Sequence, residues 1–253
     1  MRFAIHPAYS GDEVETFLEQ LPMMFDGEGE MLYDKRNQVK RFVLPSGRPV
    51  VVKRFKKPIL IQRIIYGFFR KTKAQRAYLY AAVLRHRGFG TPHEIAYLEQ
   101  RRRGLLSHCY FLAEEDGAPA IYERLVAQHP FDRVIADDFA ALVAALHQKS
   151  ILHGDLNPTN VLFRTRDDGH YTFSLIDTNR MRFKALGQNF TAYECLNNLT
   201  RFDVQDELYH YVLRRYIECM GWEMESYFAQ GIEIKRIYDE HRKKRKALLK
   251  RFK

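Results

Sequence analysis

The chain has 253 residues, of which 46% are hydrophobic, and its 41 Lys and Arg against 31 Asp and Glu give a formal net charge of +10. This length and composition indicate a globular protein with a sizeable core. No apolar run reaches the ~18 residues that a membrane-spanning helix needs, and the first residues lack the apolar stretch of a secretory signal. These features exclude a polytopic membrane protein and favour a soluble or peripheral one.

The cysteines and histidines show no spacing that is typical of a disulfide framework or a zinc site. Cys109, Cys195 and Cys219 are widely separated and odd in number, and the ten histidines are scattered along the chain. We therefore expect free thiols in a reducing cytoplasm.

Residues 1–55 predict a helix followed by three strands. The expected bounds are Asp12–Leu21 for the helix and Glu28–Tyr33, Val39–Leu44 and Pro49–Phe55 for the strands, with turn-forming residues between them. Gly27-Glu28-Gly29 does not fit the spacing Gly-x-Gly-x-x-Gly. It is interpreted as a turn, with contact to a nucleotide as the alternative.

Further helices and strands follow in the middle of the chain. A helix at 72–87 is ended by Gly88, with Pro92 shortly beyond, and strands are expected at 93–99, 108–115 and 119–124. Asp132–Lys149 predicts a helix, because apolar residues recur at three- and four-residue spacing at Phe139, Leu142, Val143 and Leu146. From residue 187 onward the pattern is mostly helical.

The most informative stretch runs from His153 to Asn160, and Asp177 follows it at the end of an apolar strand. An Asp, an amide five residues later and a second Asp are the groups that phosphoryl transfer needs: a base for the acceptor hydroxyl, and oxygen ligands for Mg²⁺ beside the phosphates of ATP. Asp155 is the candidate catalytic base. Asn160 and Asp177 are the candidate metal and nucleotide ligands. The alternative is that these residues only build turns, which leaves the spacing of the two acids unexplained.

This stretch resembles the protein-kinase catalytic loop His-Arg-Asp-Leu-x-x-x-Asn, and Asp177-Thr178-Asn179 stands where kinases have Asp-Phe-Gly. More closely, the chain resembles the bacterial lipopolysaccharide kinase family, whose members phosphorylate Kdo or heptose sugars of the inner core. Four segments carry the resemblance: Val51–Phe55, Gly88–Pro92, His153–Asn160 and Ile176–Phe183.

The resemblance implies an α+β, protein-kinase-like fold of two lobes, with an antiparallel-sheet N-lobe at residues 1–125 and a mainly helical C-lobe at residues 126–253. Tyr122–Leu125 would be the hinge between them. Lys53 would bind the α- and β-phosphates of the nucleotide, although, taken alone, it would be interpreted as an edge lysine extending into solvent. The implied activity is transfer of phosphate from ATP, with Mg²⁺, to a sugar hydroxyl.

Two departures from the kinase pattern bear on this activity. Residues 54–93 contain no Asp or Glu, so Lys53 cannot pair with a helix glutamate, and Ala77 or Leu79 stands in the region where that acid is expected. Either Glu94 or an N-terminal acid replaces it, or catalysis is impaired, by roughly 10²–10³ in rate. No Ala-Pro-Glu follows Asp177, which argues against a peptide acceptor.

Positive charge is concentrated in two segments. Lys53–Arg87 holds eleven Lys and Arg and no acid, and Lys235–Lys253 holds ten against two acids, so the remainder of the chain is net acidic. Cations around apolar residues, as in Pro58–Lys71, suit an anionic membrane surface. The alternatives are an ordinary N-lobe helix for Pro58–Lys71 and, for the tail, a terminal helix that docks by one face.

The expected partner is therefore an anionic glycolipid or lipopolysaccharide precursor, and the expected location is the cytoplasm, peripheral on the cytoplasmic face of the inner membrane. No dedicated nucleic-acid motif is present, so no specific nucleic acid is expected. Three functions stay open: a kinase of inner-core lipopolysaccharide sugars, a kinase of protein or another small molecule, and a catalytically impaired nucleotide-binding pseudokinase at the membrane.

Overall fold

The computed structural model describes residues 1–60 and 70–251. The chain divides into two compact units. The first unit comprises Met1–Gly117 together with Asp177–Asn179, and the second comprises Ala118–Ile176 and Arg180–Lys253.

This division differs from the boundary expected after residue 125. Residues 118–125 belong to the second unit because the Phe163 N–H donates to the Pro119 carbonyl (2.9 Å) and Ala120 forms a bridge with Leu162. Asp177–Asn179 belong to the first unit because their side chains contact its strands and helices, as described below. Neither set of contacts is visible in the local sequence pattern.

Six antiparallel strands form the sheet of the first unit. They are β1 (Arg2–Ile5), β2 (Glu30–Asp34), β3 (Gln38–Val43), β4 (Pro49–Phe55), β5 (Glu94–Arg102) and β6 (Leu105–Glu114). Their spatial order is β1-β5-β6-β4-β3-β2. The four residues of β1 were not predicted as a strand, and they pair with β5. β4 lies between β3 and β6, and its pairing with both strands fixes the backbone of Lys53 and Arg54.

Two helices, α1 (Asp12–Met24) and α2 (Lys73–His86), pack against two separate apolar clusters of this sheet. Phe17 and Leu21 of α1 pack in a cluster with Val50 and Val52 of β4. The small side chains of α2 pack in the other cluster with Phe55. Because successive side chains of a strand point to opposite faces, Arg54 lies on the α1 face and Lys53 on the α2 face.

The second unit is mainly helical. Its elements are α3 (Tyr122–Leu125), α4 (Arg133–Gln148), β7 (Ile151–Leu152), β8 (Val161–Thr165), β9 (Tyr171–Leu175), β10 (Arg182–Phe183), α5 (Ala192–Leu199), α6 (Asp206–Met220) and α7 (Met224–Arg251). The strand expected at 119–124 was wrong: only Ala120 makes a bridge, and one helical turn begins at Tyr122. β8 and β9 form an antiparallel hairpin, and β9 is the apolar strand expected before Asp177.

The long helices of this unit have identifiable caps and contacts. The Asp132 carboxylate accepts the N–H groups of Val134 and Ile135 and begins α4. On α7, a Cβ at Gly231 would lie only 2.8 Å from the Leu213 side chain, so the glycine allows α6 and α7 to approach closely. Ile234 is buried, whereas the side chains of residues 243–248 are exposed.

Three further observations bear on the sequence predictions. Among the described residues, no helix is both long and apolar enough to cross a bilayer. The interfacial segment expected at Pro58–Lys71 falls largely on residues 61–69, outside the described residues. Cys109 and Cys195 are buried free thiols, and Cys219 is an exposed one.

Candidate active site

The loop from His153 to Asn160 begins directly after β7. His153 is fully buried, and its Nδ1 accepts the Asp155 N–H (3.3 Å) while its Nε2 lies 3.1 Å from the Ile176 carbonyl oxygen. The first contact requires an acceptor at Nδ1, so Nε2 carries the proton and donates to Ile176. His153 therefore joins the start of this loop to the end of the hairpin.

Gly154 has a left-handed backbone (φ +74°), and a Cβ there would lie 2.7 Å from the Arg180 carbonyl oxygen. A side chain at this position would push the two segments apart. The Gly154 N–H donates to Oδ1 of Asn198, on α5, at 2.7 Å. Glycine is therefore required here both by its dihedral angle and by a close backbone approach.

Asn198 continues into a buried polar chain. Because its Oδ1 accepts from Gly154, its Nδ2 faces Nε2 of His147 at 3.0 Å, and Nδ1 of that histidine lies 2.7 Å from the Tyr216 hydroxyl. The imidazole thus accepts at Nε2 and donates at Nδ1. Burial lowers the pKa of His147 to about 3, so the ring stays neutral. This chain ties the Asp155 loop to α4 and α6.

Asp155 and Asn160 are joined within the loop. The Asn160 Nδ2 donates to the Asp155 carbonyl at 3.0 Å, and the Asn160 carbonyl accepts the N–H of Ile176, the residue before Asp177, at 3.0 Å. With its amide nitrogen engaged, Asn160 retains an amide oxygen of the kind that binds Mg²⁺. The Asp155 carboxylate, about a quarter exposed, is paired with Arg180 at 3.1 Å.

A separate group of residues lies in the first unit. The Lys53 Nζ is 2.8 Å from Oδ1 of Asp177, and both side chains are about four-fifths shielded from solvent. Asp177 has a positive φ of 59°, which Asp tolerates better than most residues, and its carboxylate also accepts from the Asn179 amide. The paired lysine and carboxylate are suited to binding phosphate and a hard metal ion.

The structure also shows what stands in place of the missing helix acid. Ala77 is buried, and its carbonyl oxygen accepts the Thr178 hydroxyl at 3.0 Å. The partner of Lys53 is Asp177, and it is not Glu94, whose two carboxylate oxygens bind the Arg85 guanidinium. Of the alternatives that the sequence left open, Glu94 is therefore not the acid that pairs with Lys53.

His6, His93 and Glu94 form a cluster with metal-ligand chemistry that the sequence spacing did not reveal. The cluster is better explained as an ion-pair site. Arg85 occupies the carboxylate of Glu94, and Nδ1 of His6 accepts the Ala8 N–H, which leaves a protonated Nε2 facing the acid at 4.0 Å. A metal would have to displace a guanidinium and change a tautomer.

The structure thus brings the predicted residues together in two pairs: Lys53 with Asp177 in the first unit, and Asp155 with Asn160 in the second. The Gly27–Gly29 segment is a turn whose Glu28 carbonyl accepts from buried Lys40 at 2.6 Å. The sequence did not identify Arg180, Asn198 or His147. Of these, Arg180 was visible three residues after Asp177, whereas the other two belong to distant helices.

The sequence and the fold are similar to those of known kinases. The profile of the Lipopolysaccharide kinase (Kdo/WaaP) family matches residues 32–216, more than half of the chain. The solved structure of WaaP in complex with acyl carrier protein is similar with a TM-score of 0.62 at 14% sequence identity, over 96% of this chain and 99% of that one. The Rio2 kinase–ADP/Mg²⁺–phosphoaspartate complex from Chaetomium thermophilum has a TM-score of 0.49 at 16% identity, over 88% and 66%. No curated protein matches the sequence.

Proposed function

The chain belongs to the Lipopolysaccharide kinase (Kdo/WaaP) family, and from this membership we propose that it phosphorylates a sugar hydroxyl, of Kdo or heptose, on inner-core lipopolysaccharide or a related anionic glycolipid. Membership makes the protein a kinase that uses ATP. The similarity to WaaP confirms the expected α+β, protein-kinase-like fold. The acceptor hydroxyl, the metal and the residue roles are proposals.

The observation that carries the proposal is the Asp155 carboxylate, which stays partly exposed although the backbone around it is fixed by His153, Asn160 and Asn198. We assign Asp155 as the base. The acceptor oxygen forms a bond to the γ-phosphorus, the bond from phosphorus to the bridging oxygen breaks, the hydroxyl proton passes to Asp155 and ADP leaves.

We assign Lys53 to the nucleotide phosphates, and Asn160 and Asp177 to Mg²⁺. The donor set supports this assignment, because carboxylate and amide oxygens are the ligands that Mg²⁺ prefers. Bound Mg²⁺ would supply charge neutralisation on the transferred phosphate. The pairing of Lys53 with Asp177 keeps a cation and an anion in one place before either substrate binds.

Arg180 supports an acidic acceptor. Its guanidinium is 3.1 Å from Asp155 and nearly half exposed, whereas Arg182 and Lys184, on the same segment, both pair with Glu194. Within this segment, Arg180 is the cation that contacts the proposed base. A carboxylate on the acceptor, as in Kdo, would draw Arg180 away from Asp155 and free the base.

Peripheral attachment to the inner membrane is part of the proposal. It is supported by the exposed side chains of residues 243–248, which include Lys243, Lys244, Arg245 and Lys246. Attraction of such cations to anionic lipid is screened by salt. Vesicle association should therefore fall steeply as salt is added, and association that is absent or insensitive to salt would remove this part of the proposal.

The assay that tests the function measures phosphate transfer from ATP to Kdo-lipid A and to heptose-bearing acceptors, with and without Mg²⁺. We expect incorporation that requires Mg²⁺ and is lost in Asp155→Asn. Incorporation into a protein acceptor but not into glycolipid would favour the second function named above. Nucleotide binding without turnover on any acceptor would favour a pseudokinase.

Acceptor choice is tested in the same assay with Arg180→Ala and Arg180→Lys. If Arg180 recognises an acidic sugar, Arg180→Ala should lower kcat/KM for the Kdo acceptor more than for the heptose acceptor, and the lysine should restore part of the loss. An equal effect on both acceptors would contradict this role.

A further inference from the structure

A cavity of about 280 Å³ lies in the first unit, apart from Lys53 and Asp177. Among the residues that the structure describes, those lining the cavity are cationic or neutral and include no acid: Lys35, Arg36, Gln38, Arg54, Phe55, Lys56, Lys57 and His108. The lining residues come from the turn between β2 and β3, from the end of β4 and from β6. Lys35, Arg36, Lys56 and Lys57 are exposed to solvent, and an anion bound between them would relieve the repulsion that water and salt otherwise screen.

Arg54 is held in place at this cavity before any ligand binds. Its Nε donates to the Gln38 side chain at 3.1 Å, its Nη2 is 2.6 Å from the Asp26 carboxylate, and its guanidinium stacks on the Phe25 ring at 4.3 Å. Asp26 is itself largely exposed and does not line the cavity. A guanidinium fixed in this way loses little conformational entropy on binding an anion.

His108 reports the electrostatic state of the cavity. Burial lowers the pKa of His108, the neighbouring Arg54 and Lys57 cations lower it further, and the Asp26 carboxylate opposes them in part. A bound anion would oppose those cations and stabilise the imidazolium. His108 could then become a further donor to the ligand.

The cavity is also distinct from the proposed nucleotide residues. Arg54 extends from the face of β4 that α1 covers, whereas Lys53 extends from the other face, towards Phe55 and α2. The Arg54 and Lys53 side chains therefore extend to opposite sides of the sheet, although Phe55 lines the cavity and its ring also lies 5.3 Å from the Lys53 Nζ. Occupation of one site does not require occupation of the other.

We propose that this cavity binds a phosphate group. Phosphate presents three or more oxygens and up to two negative charges. It therefore matches a lining of five Lys and Arg residues, from the turn between β2 and β3 and from the end of β4 and the residues after it, better than a single carboxylate does. The group could belong to a lipid headgroup or to a soluble phosphorylated compound. The chemistry is the same, and the two sources are separated by experiment.

The first experiment follows the His108 ring by NMR while inorganic phosphate is added to the full chain. We expect a saturable rise in the titration midpoint of His108. In Arg36→Ala/Lys57→Ala the apparent affinity for phosphate should fall by about tenfold or more, because two charge-assisted contacts are lost. The matched control is Arg2→Ala/Arg102→Ala, two exposed cations elsewhere in the first unit, which should bind phosphate as the wild type does. No rise in the midpoint, or equal losses in both double variants, would overturn the proposal.

A second experiment identifies the source of the phosphate. Vesicles of phosphatidylcholine containing phosphatidic acid are sedimented with wild type and both double variants, with glycerol phosphate as a soluble competitor. Loss of vesicle binding in Arg36→Ala/Lys57→Ala alone would support a lipid headgroup. Vesicle binding unchanged by that variant, with phosphate binding reduced, would support a soluble ligand. Neither substituted residue belongs to the proposed catalytic set, so phosphate transfer to a soluble acceptor should be retained and the two proposals can fail separately.

Discussion

The two groups of site residues are held in place in different ways. In the second unit, the loop of Asp155 is fixed by His153, by the backbone of Gly154 and by a buried chain through Asn198 to His147. In the described part of the first unit, Lys53 pairs with the Asp177 carboxylate and lies over the Phe55 ring, and α2 contributes a backbone carbonyl at Ala77 to the Asp177 segment. The loop of the base is thus positioned by a network of buried hydrogen bonds, and the proposed nucleotide lysine by one ion pair and one ring contact.

The first unit therefore lacks the ion pair between the strand lysine and a helix glutamate that kinases have. In its place, the Thr178 hydroxyl donates to the Ala77 carbonyl of α2. This hydrogen bond positions the segment of Asp177 but places no negative charge beside Lys53. Substitutions in the second unit should therefore act mainly on kcat, through proton transfer or through the placement of the loop, and substitutions in the first unit should act on nucleotide binding.

The largest effect is expected for Asp155→Asn. The amide keeps the shape of the side chain but cannot accept the proton, so kcat should fall by about 10³, within the range that a general base contributes. Thermal stability should change little, because the pair with Arg180 is partly exposed. Asp168→Asn, in the exposed hairpin loop and also paired with an arginine, is the control and should retain full activity. A kcat near the wild-type value in Asp155→Asn would contradict the assignment.

The second-largest effect is expected for Asp177→Asn, and it should appear in nucleotide binding. It removes the charge that pairs with Lys53 and a proposed metal ligand, so the Kd for ATP with Mg²⁺ should rise by roughly tenfold to a hundredfold. Calorimetry on this variant and on Asp155→Asn makes the comparison direct. Nucleotide binding should be nearly intact in Asp155→Asn, and equal losses in both would refute the division of roles.

Asn198→Ala tests the buried chain. It leaves the Gly154 N–H and the His147 Nε2 without partners, which should cost about 1–3 kcal/mol of unfolding free energy and should lower kcat with little change in the Kd for ATP. Asn197→Ala, at the neighbouring and less buried position on α5, is the control. A loss of stability with unchanged kcat would mean that the chain stabilises the unit without positioning the loop.

Close to neutral pH, the smallest effect is a dependence of stability on pH. The pKa of His147 falls from 6.5 to about 3 on folding, so below pH 6.5 the unfolded state binds more protons than the folded state. Stability should be fully present above pH 6.5 and should fall as the pH drops towards 3, with a slope of about 1.4 kcal/mol per pH unit from this group. Denaturant unfolding of His147→Gln should show a shallower slope than the wild type. The exposed His241→Gln control should retain the full slope, and identical slopes in all three proteins would contradict the neutral buried ring.

The parts that the sequence predicted are those set by local pattern. The strand that carries Lys53, the apolar strand before Asp177 and the loop between Asp155 and Asn160 are encoded by neighbouring residues, and the bounds predicted for the first, Pro49–Phe55, agree with the structure. The error at residues 119–124 has a physical reason, since that apolar run pairs only at Ala120 before a helical turn begins.

Contacts over long sequence separations could not be predicted in the same way. Asn198 and His147 are separated from one another by 51 residues, and a helix that buries an Asn or a His does not indicate which polar group it meets. Because residues 54–93 lack acids, the sequence excluded a partner for Lys53 within that segment, but it did not identify Asp177 as the partner. The cavity around Arg54 depends on three separate parts of the chain: Arg54, Lys56 and Lys57 lie within the basic segment that the charge pattern identified, whereas Lys35 and Arg36 lie outside it.

The most direct test of the central proposal is mass spectrometry of the core glycolipid from cells with the wild-type protein, without it, and with Asp155→Asn in its place. We predict a phosphate-sized increment on an inner-core sugar that is present with the wild type and missing in the other two. The same mass distribution in all three would contradict the assignment of this chain as an inner-core sugar kinase with Asp155 as its base.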